Sequence, residues 1–119
     1  MIMTKIIKAN SIVAVDPTSA KYVIATDKCL RLWFSPEFAI ELQSDGKNNA
    51  IESLGSFYKK FRPYFTRLGV DGDLLVKIKK TISITSIGNI VTILHKDLST
   101  TEIIMDGDYK IVPFNETEE

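Results

Sequence analysis

The chain carries one cysteine, one histidine and one tryptophan in 119 residues, and its net charge is zero. With no partner for Cys29 an intrachain disulfide is excluded, so the scaffold must hold by its core, and a reducing, cytoplasmic setting is expected. One histidine and one cysteine fall short of the three or four nitrogen and sulfur ligands that zinc takes, so no metal is expected. Fifteen Lys and Arg balance fifteen Asp and Glu, so any affinity for nucleic acid must come from a local patch rather than a bulk field.

Long apolar runs are missing too. No stretch approaches eighteen uninterrupted apolar residues, and residues 1–10 interrupt their apolar positions with Lys5 and Lys8, so neither a membrane span nor a signal peptide is expected. No membrane partner follows from that reading. Neither a Walker loop nor a dinucleotide fingerprint can be written on any segment, which removes the main support for a bound nucleotide cofactor. His95 closes an apolar run at a Lys96-Asp97 turn and reads as a structural or surface residue, and Cys29 reads as a small buried hydrophobe. The expectation is a non-enzymatic protein with no cofactor.

What remains is ordinary globular text, 45% hydrophobic with a mean hydropathy of +0.04. The length suits one domain, placed at residues 1–112, with an acidic tail at 113–119 whose Glu116, Glu118 and Glu119 offer nothing to bury. Strand-like runs lie at 5–8, 11–15, 22–26, 29–34 and 38–43; in the last, Phe38, Ile40 and Leu42 read as the core face and Ala39, Glu41 and Gln43 as the wet one. Further runs, dense in Ile, Val and Thr, lie at 74–79, 82–87, 90–95, 102–105 and 109–112. Asp71-Gly72, Gly88-Asn89 and Asp106-Gly107 mark hairpin turns, so these connections read as local and antiparallel. Ile51, Leu54, Phe57 and Phe61 keep helical spacing, which predicts one main helix near residues 50–62, opened either by Asn49 and Glu52 as a capping box or by Ser53 as N-cap, with Pro63 limiting its far end. The fold class is α+β, predominantly β, with short antiparallel strands.

Two features could carry chemistry. The segments Asp71-Gly72-Asp73 and Asp106-Gly107-Asp108 echo one another and contain oxygen ligands, yet they read as hairpin turns because neither follows a calcium-loop pattern. Lys59, Lys60, Arg62, Arg67, Lys77, Lys79 and Lys80 face only Asp71 and Asp73 in their stretch, with Tyr58, Phe61, Tyr64 and Phe65 interleaved. That mixture can meet phosphates and pack on sugars or bases; equally, the aromatics can belong to a core whose opposite face the lysines solvate.

Leu30-Arg31-Leu32, Phe38-Ala39-Ile40, Asp45-Gly46-Lys47, Ser53-Leu54, Phe65-Thr66-Arg67 and Leu74-Leu75-Val76 follow one another in the order of a LytTR-type DNA-binding domain, which the chain resembles from residue 30 to about 112. The resemblance implies a regulatory module bound to double-stranded DNA, with the seven basic residues as candidate phosphate contacts and Arg67 as the matched residue able to read a base edge. Polar positions depart from the family: Leu68-Gly69-Val70-Asp71 follows Phe-x-Arg, Lys77 stands where Asn is usual, and Glu102-Ile103-Ile104-Met105 replaces a Val-Ser-Arg-Arg-like segment. The alternative is a regulatory module on the same scaffold that binds a protein partner and no DNA.

Overall fold

β-Branched and aromatic residues nucleate most of the strands in the computed structural model, which describes residues 4–114. β1 (Lys5–Ala9), β2 (Tyr22–Ala25), β3 (Cys29–Ser35) and β4 (Phe38–Gln43) precede α1 (Lys47–Lys60), the one α-helix among the described residues. A 3₁₀ turn at Arg62–Tyr64 leads into β5 (Phe65–Leu68) and β6 (Leu74–Lys77), and a second at Ile78–Lys80 leads into β7 (Thr81–Ile87), β8 (Ile90–His95) and β9 (Thr100–Ile104). The class is α+β and predominantly β, as the residue pattern predicts. No helix among the described residues is long and apolar enough to cross a membrane.

The strands form a six-stranded sheet in the order β1-β4-β3-β2-β6-β5 and a three-stranded sheet in the order β7-β8-β9. Every pairing is antiparallel except β1 with β4, where Ile6 lies opposite Ala39 and the strands run parallel. Local turns cannot make that pair, because a parallel neighbour needs a crossover.

Alternation along each strand sends successive side chains to opposite faces, and this builds three layers. Val23, Leu30, Leu32 and Leu75 point to α1, whose Ala50, Leu54 and Phe57 complete one core cluster. Tyr22, Ile24, Leu74 and Val76 point the other way, onto Val91 and Ile93 of β8. Each fully buried Leu or Val contributes roughly 1.5–3 kcal/mol over an exposed one. Phe57 stands 4.7 Å from the Phe61 ring and 5.6 Å from that of Phe65, tying the helix end to β5.

Several local readings are corrected. Residues 11–15 are not a strand: Ile12 and Val15 pack irregularly against the helix cluster, and Asp16 closes a turn by accepting from Thr18 N at 2.9 Å. β5 was not legible as a separate strand, since Arg67 breaks its apolar run. In β4, Ala39 and Glu41 are buried while Phe38, Ile40 and Leu42 are only half-buried, because the strand is flanked on both sides and Arg31 Nη2 pairs Glu41 at 2.5 Å. The helix starts at Lys47 without a side-chain cap; Gly46 turns the chain at φ 99°, and Asn49 donates back to Asp45 O at 3.0 Å instead of forming a capping box.

Residues 109–112 form no ladder either. They close the edge between the two sheets, with Tyr109 N donating to Gly88 O and Val112 O accepting from Gly69 N. Order continues into the segment read as tail: Pro113 bridges Leu68, and the Phe114 ring lies 4.3 Å from the Arg67 guanidinium carbon. Glu116, Glu118 and Glu119 lie outside the described residues.

Candidate functional site

The seven basic residues do not share one water-facing surface. The β5–β6 hairpin explains why: Phe65 pairs Lys77, so the chain enters from α1 and leaves to β7 at the same end, but into opposite layers. Lys59, Lys60 and Arg62 stay with the helix and are exposed, Arg62 lying 5.7 Å from the Tyr58 ring and Lys60 5.5 Å from that of Phe61. Lys79 and Lys80 are exposed on the side of the three-stranded sheet.

Arg67 and Lys77 are buried, at 6% and 3% exposure. Arg67 Nε donates to Gly72 O at 2.8 Å across its own hairpin, and the guanidinium lies between the rings of Phe114 and Tyr58. Lys77 Nζ donates to Thr18 O. Burial, then the charge of Lys80, holds the Lys77 ammonium below its ordinary pKa. Both heads are engaged by the fold, Lys77 on Thr18 and Arg67 on Gly72 in the wall of a helix-side cleft that Lys59 also lines.

Lys79 and Lys80 gain two companions from distant sequence. Lys77 N donates to Lys21 O, Lys96 N donates to Lys80 O, both at 3.0 Å, and Thr81 pairs His95 in the β7–β8 ladder. Those bonds fasten three segments together and place Lys21, Lys79, Lys80 and Lys96 around a cleft of about 250 Å³ with His95 and Asp97 in its wall. Four lysines and one aspartate thus line the same cleft. Asp97 Oδ1 accepts from Ser99 N at 3.0 Å and from Ser99 Oγ at 2.5 Å, and these bonds hold the carboxylate's pKa down.

His95 is 3% exposed, with Nε2 at 2.7 Å from Thr101 Oγ1 and Nδ1 enclosed without a hydrogen-bond partner. Burial lowers its pKa, the Lys21 charge adds to that, and Asp97 and the Lys80 carbonyl pull the other way. The ring is therefore neutral near pH 7 and serves as a wall of the cleft. Lys21, Lys96 and this role of His95 were not visible in the sequence, because each lysine stands alone at a strand end and only the ladder register brings them together.

The echoed aspartates also meet. Asp71, Asp73, Asp106 and Asp108 line one cleft of about 380 Å³ together with Lys47 and Lys110. Among the described residues, no group of three or more His, Cys, Asp or Glu side chains is arranged to hold a metal ion. Asp73 is instead committed to Tyr109 Oη at 2.7 Å and to Lys47 Nζ at 3.4 Å.

Searches of protein-family models, curated proteins and solved structures give no significant match to this chain.

Proposed function

We propose that this chain is a non-enzymatic, nucleic-acid-binding regulatory module that holds phosphates with Lys21, Lys79, Lys80 and Lys96. The observation that carries the reading is their meeting from three segments around one cleft, opposed there only by Asp97. Convergent ammonium groups on a water-facing surface release counterions when they meet a phosphate backbone, and that drives binding without sequence preference. Lys59, Lys60 and Arg62 supply a separate exposed basic site on the helix layer. The ordered resemblance to LytTR-type domains supports the regulatory part of the reading.

Anisotropy of a labelled mixed-sequence oligonucleotide, single-stranded and duplex, tests it across a range of salt. Four phosphate contacts predict a log–log salt slope of about −3 to −4 on duplex, and replacing the four lysines by Gln should flatten it. Absence of binding at low salt defeats the reading.

A second reading, a protein-interaction module without nucleic-acid affinity, draws on the three-stranded sheet. Ile87, Ile90 and Ile104 lie opposite one another across its strands and are 83%, 38% and 76% exposed. A failed titration leaves this reading in place.

A further inference from the structure

The lysine cleft has a neighbour of different chemistry. Trp33, Tyr22, Pro36, Thr100 and Glu102 line a second cleft of about 320 Å³, and Lys21 lines both. The two are built as one unit: Lys21 N donates to Trp33 O at 2.8 Å, and the His95–Thr101 bond joins a wall residue of one cleft to a wall residue of the other.

We propose that the two clefts form a single groove for single-stranded nucleic acid, with the backbone phosphates on Lys21, Lys79, Lys80 and Lys96 and an unpaired base stacked against Trp33. The proposal rests on the phosphate-binding reading above and specifies the class of nucleic acid. Trp33 is half-buried and held in place: it stacks with Tyr22 at 6.1 Å and 24°, and Arg31, itself anchored to Glu41, lies 5.9 Å from its ring. A fixed, partly exposed indole on a cleft that Lys21 joins to the other lysines can accept any base face, since every base has one. In a duplex the bases are stacked on their own neighbours and present no face to the indole, which is the physical ground for preferring a single strand. Glu102 on the aromatic cleft repels phosphate and so keeps the backbone to the lysine side of the groove, where four lysines outweigh the one carboxylate of Asp97.

Trp33 is the one tryptophan of the chain, so its fluorescence reports on this cleft alone. The full chain is titrated at low salt with oligothymidylate, a blunt-ended duplex of mixed sequence and inorganic tripolyphosphate, reading indole emission and, with labelled strands, anisotropy. Oligothymidylate should quench the indole and bind more tightly than the duplex, while tripolyphosphate should compete for the lysines without quenching. Trp33→Leu should weaken oligothymidylate binding roughly tenfold or more, the worth of one stacked base, and Trp33→Phe should restore part of that loss. The quenching measurement needs no variant, so it decides the matter even where Trp33→Leu fails to fold. Equal affinity for duplex and single strand without quenching overturns the groove and leaves the phosphate reading standing; no binding of any nucleic acid at low salt overturns both.

Discussion

The Tyr109 hydroxyl donates to the buried carboxylate of Asp73 at 2.7 Å, joining the two Asp-Gly-Asp turns that echo one another in the sequence. Burial and the Asp73 charge both push the phenol's pKa well up, so it remains a donor across the usable pH range. Tyr109→Phe leaves Asp73 with Lys47 at 3.4 Å as its charged partner, and that lysine is largely exposed. The expected loss is about 1.5–3 kcal/mol, the range for a hydrogen bond to a charged group, read by equilibrium urea unfolding. An unchanged midpoint would show that Asp73 does not depend on the phenol.

Gly69 and Gly107 have similar backbones, at φ +97° and +78°, and different surroundings. A Cβ on Gly69 would lie 2.6 Å from Asp73 Oδ1 and would also collide with the Tyr109 hydroxyl, whereas one on Gly107 meets nothing within 4 Å. Both Ala variants carry the left-handed backbone cost of about 1–2 kcal/mol, and only Gly69→Ala adds disruption of the Tyr109–Asp73 bond. Thermal unfolding should rank Gly69→Ala clearly below Gly107→Ala.

Arg67 tests whether a basic residue of the predicted set acts in binding or in folding. Its bond to Gly72 O and its place against Phe114 assign it to the hairpin, so Arg67→Met should destabilise by roughly 2 kcal/mol or more. The salt slope for oligonucleotide binding should not change. A flattened slope with stability intact would return Arg67 to the contact surface.

His95 should make stability depend on pH below neutrality. Around it stand Lys21, Lys79, Lys80, Lys96 and Asp97, and its folded pKa lies below the ordinary value of about 6.5. Above that value neither state holds the proton and the imidazole contributes no pH dependence. As the pH falls below about 6.5 the unfolded chain takes up a proton that the folded chain resists, so stability drops until the folded pKa is passed. His95→Gln should remove that drop. The ion pair and turn carboxylates Glu41, Asp16 and Asp97, all lowered in the fold, lose their contributions only in the more acidic carboxylate range. Urea midpoints of both proteins between pH 7.5 and about 5 check it, and parallel curves would refute it.

Much of the secondary structure was legible because it rests on local period. The bounds of the 38–43 run match β4, although its more buried face is the one the alternation assigned to water, and the spacing of Leu54, Phe57 and Phe61 identifies α1 to within a few residues. The turns at Asp71-Gly72 and Gly88-Asn89 do connect hairpins, where their glycines reach positive φ, whereas Asp106-Gly107 is a bend after β9, the last strand among the described residues, and connects none. Residues 11–15 and 109–112 misled for a common reason. Their apolar residues are taken up by the two cores, Ile12 and Val15 by the helix cluster and Tyr109 and Ile111 by the cluster between the sheets, while their backbones cross irregularly and join no ladder.

Residue order alone determined the predominance of strands, the one long amphipathic helix and the presence of a cationic stretch, since each is a property of neighbours along the chain. Tertiary structure decided which cations face water. Lys77 is buried as the last residue of β6, a strand covered on both faces, while Lys79 and Lys80 in the 3₁₀ turn that follows are exposed, and backbone bonds between segments more than fifty residues apart bring Lys21 to Lys79 and Lys80. Charge is counted along a sequence, but a field that a phosphate can feel depends on distances in space, and those follow from sheet order and register.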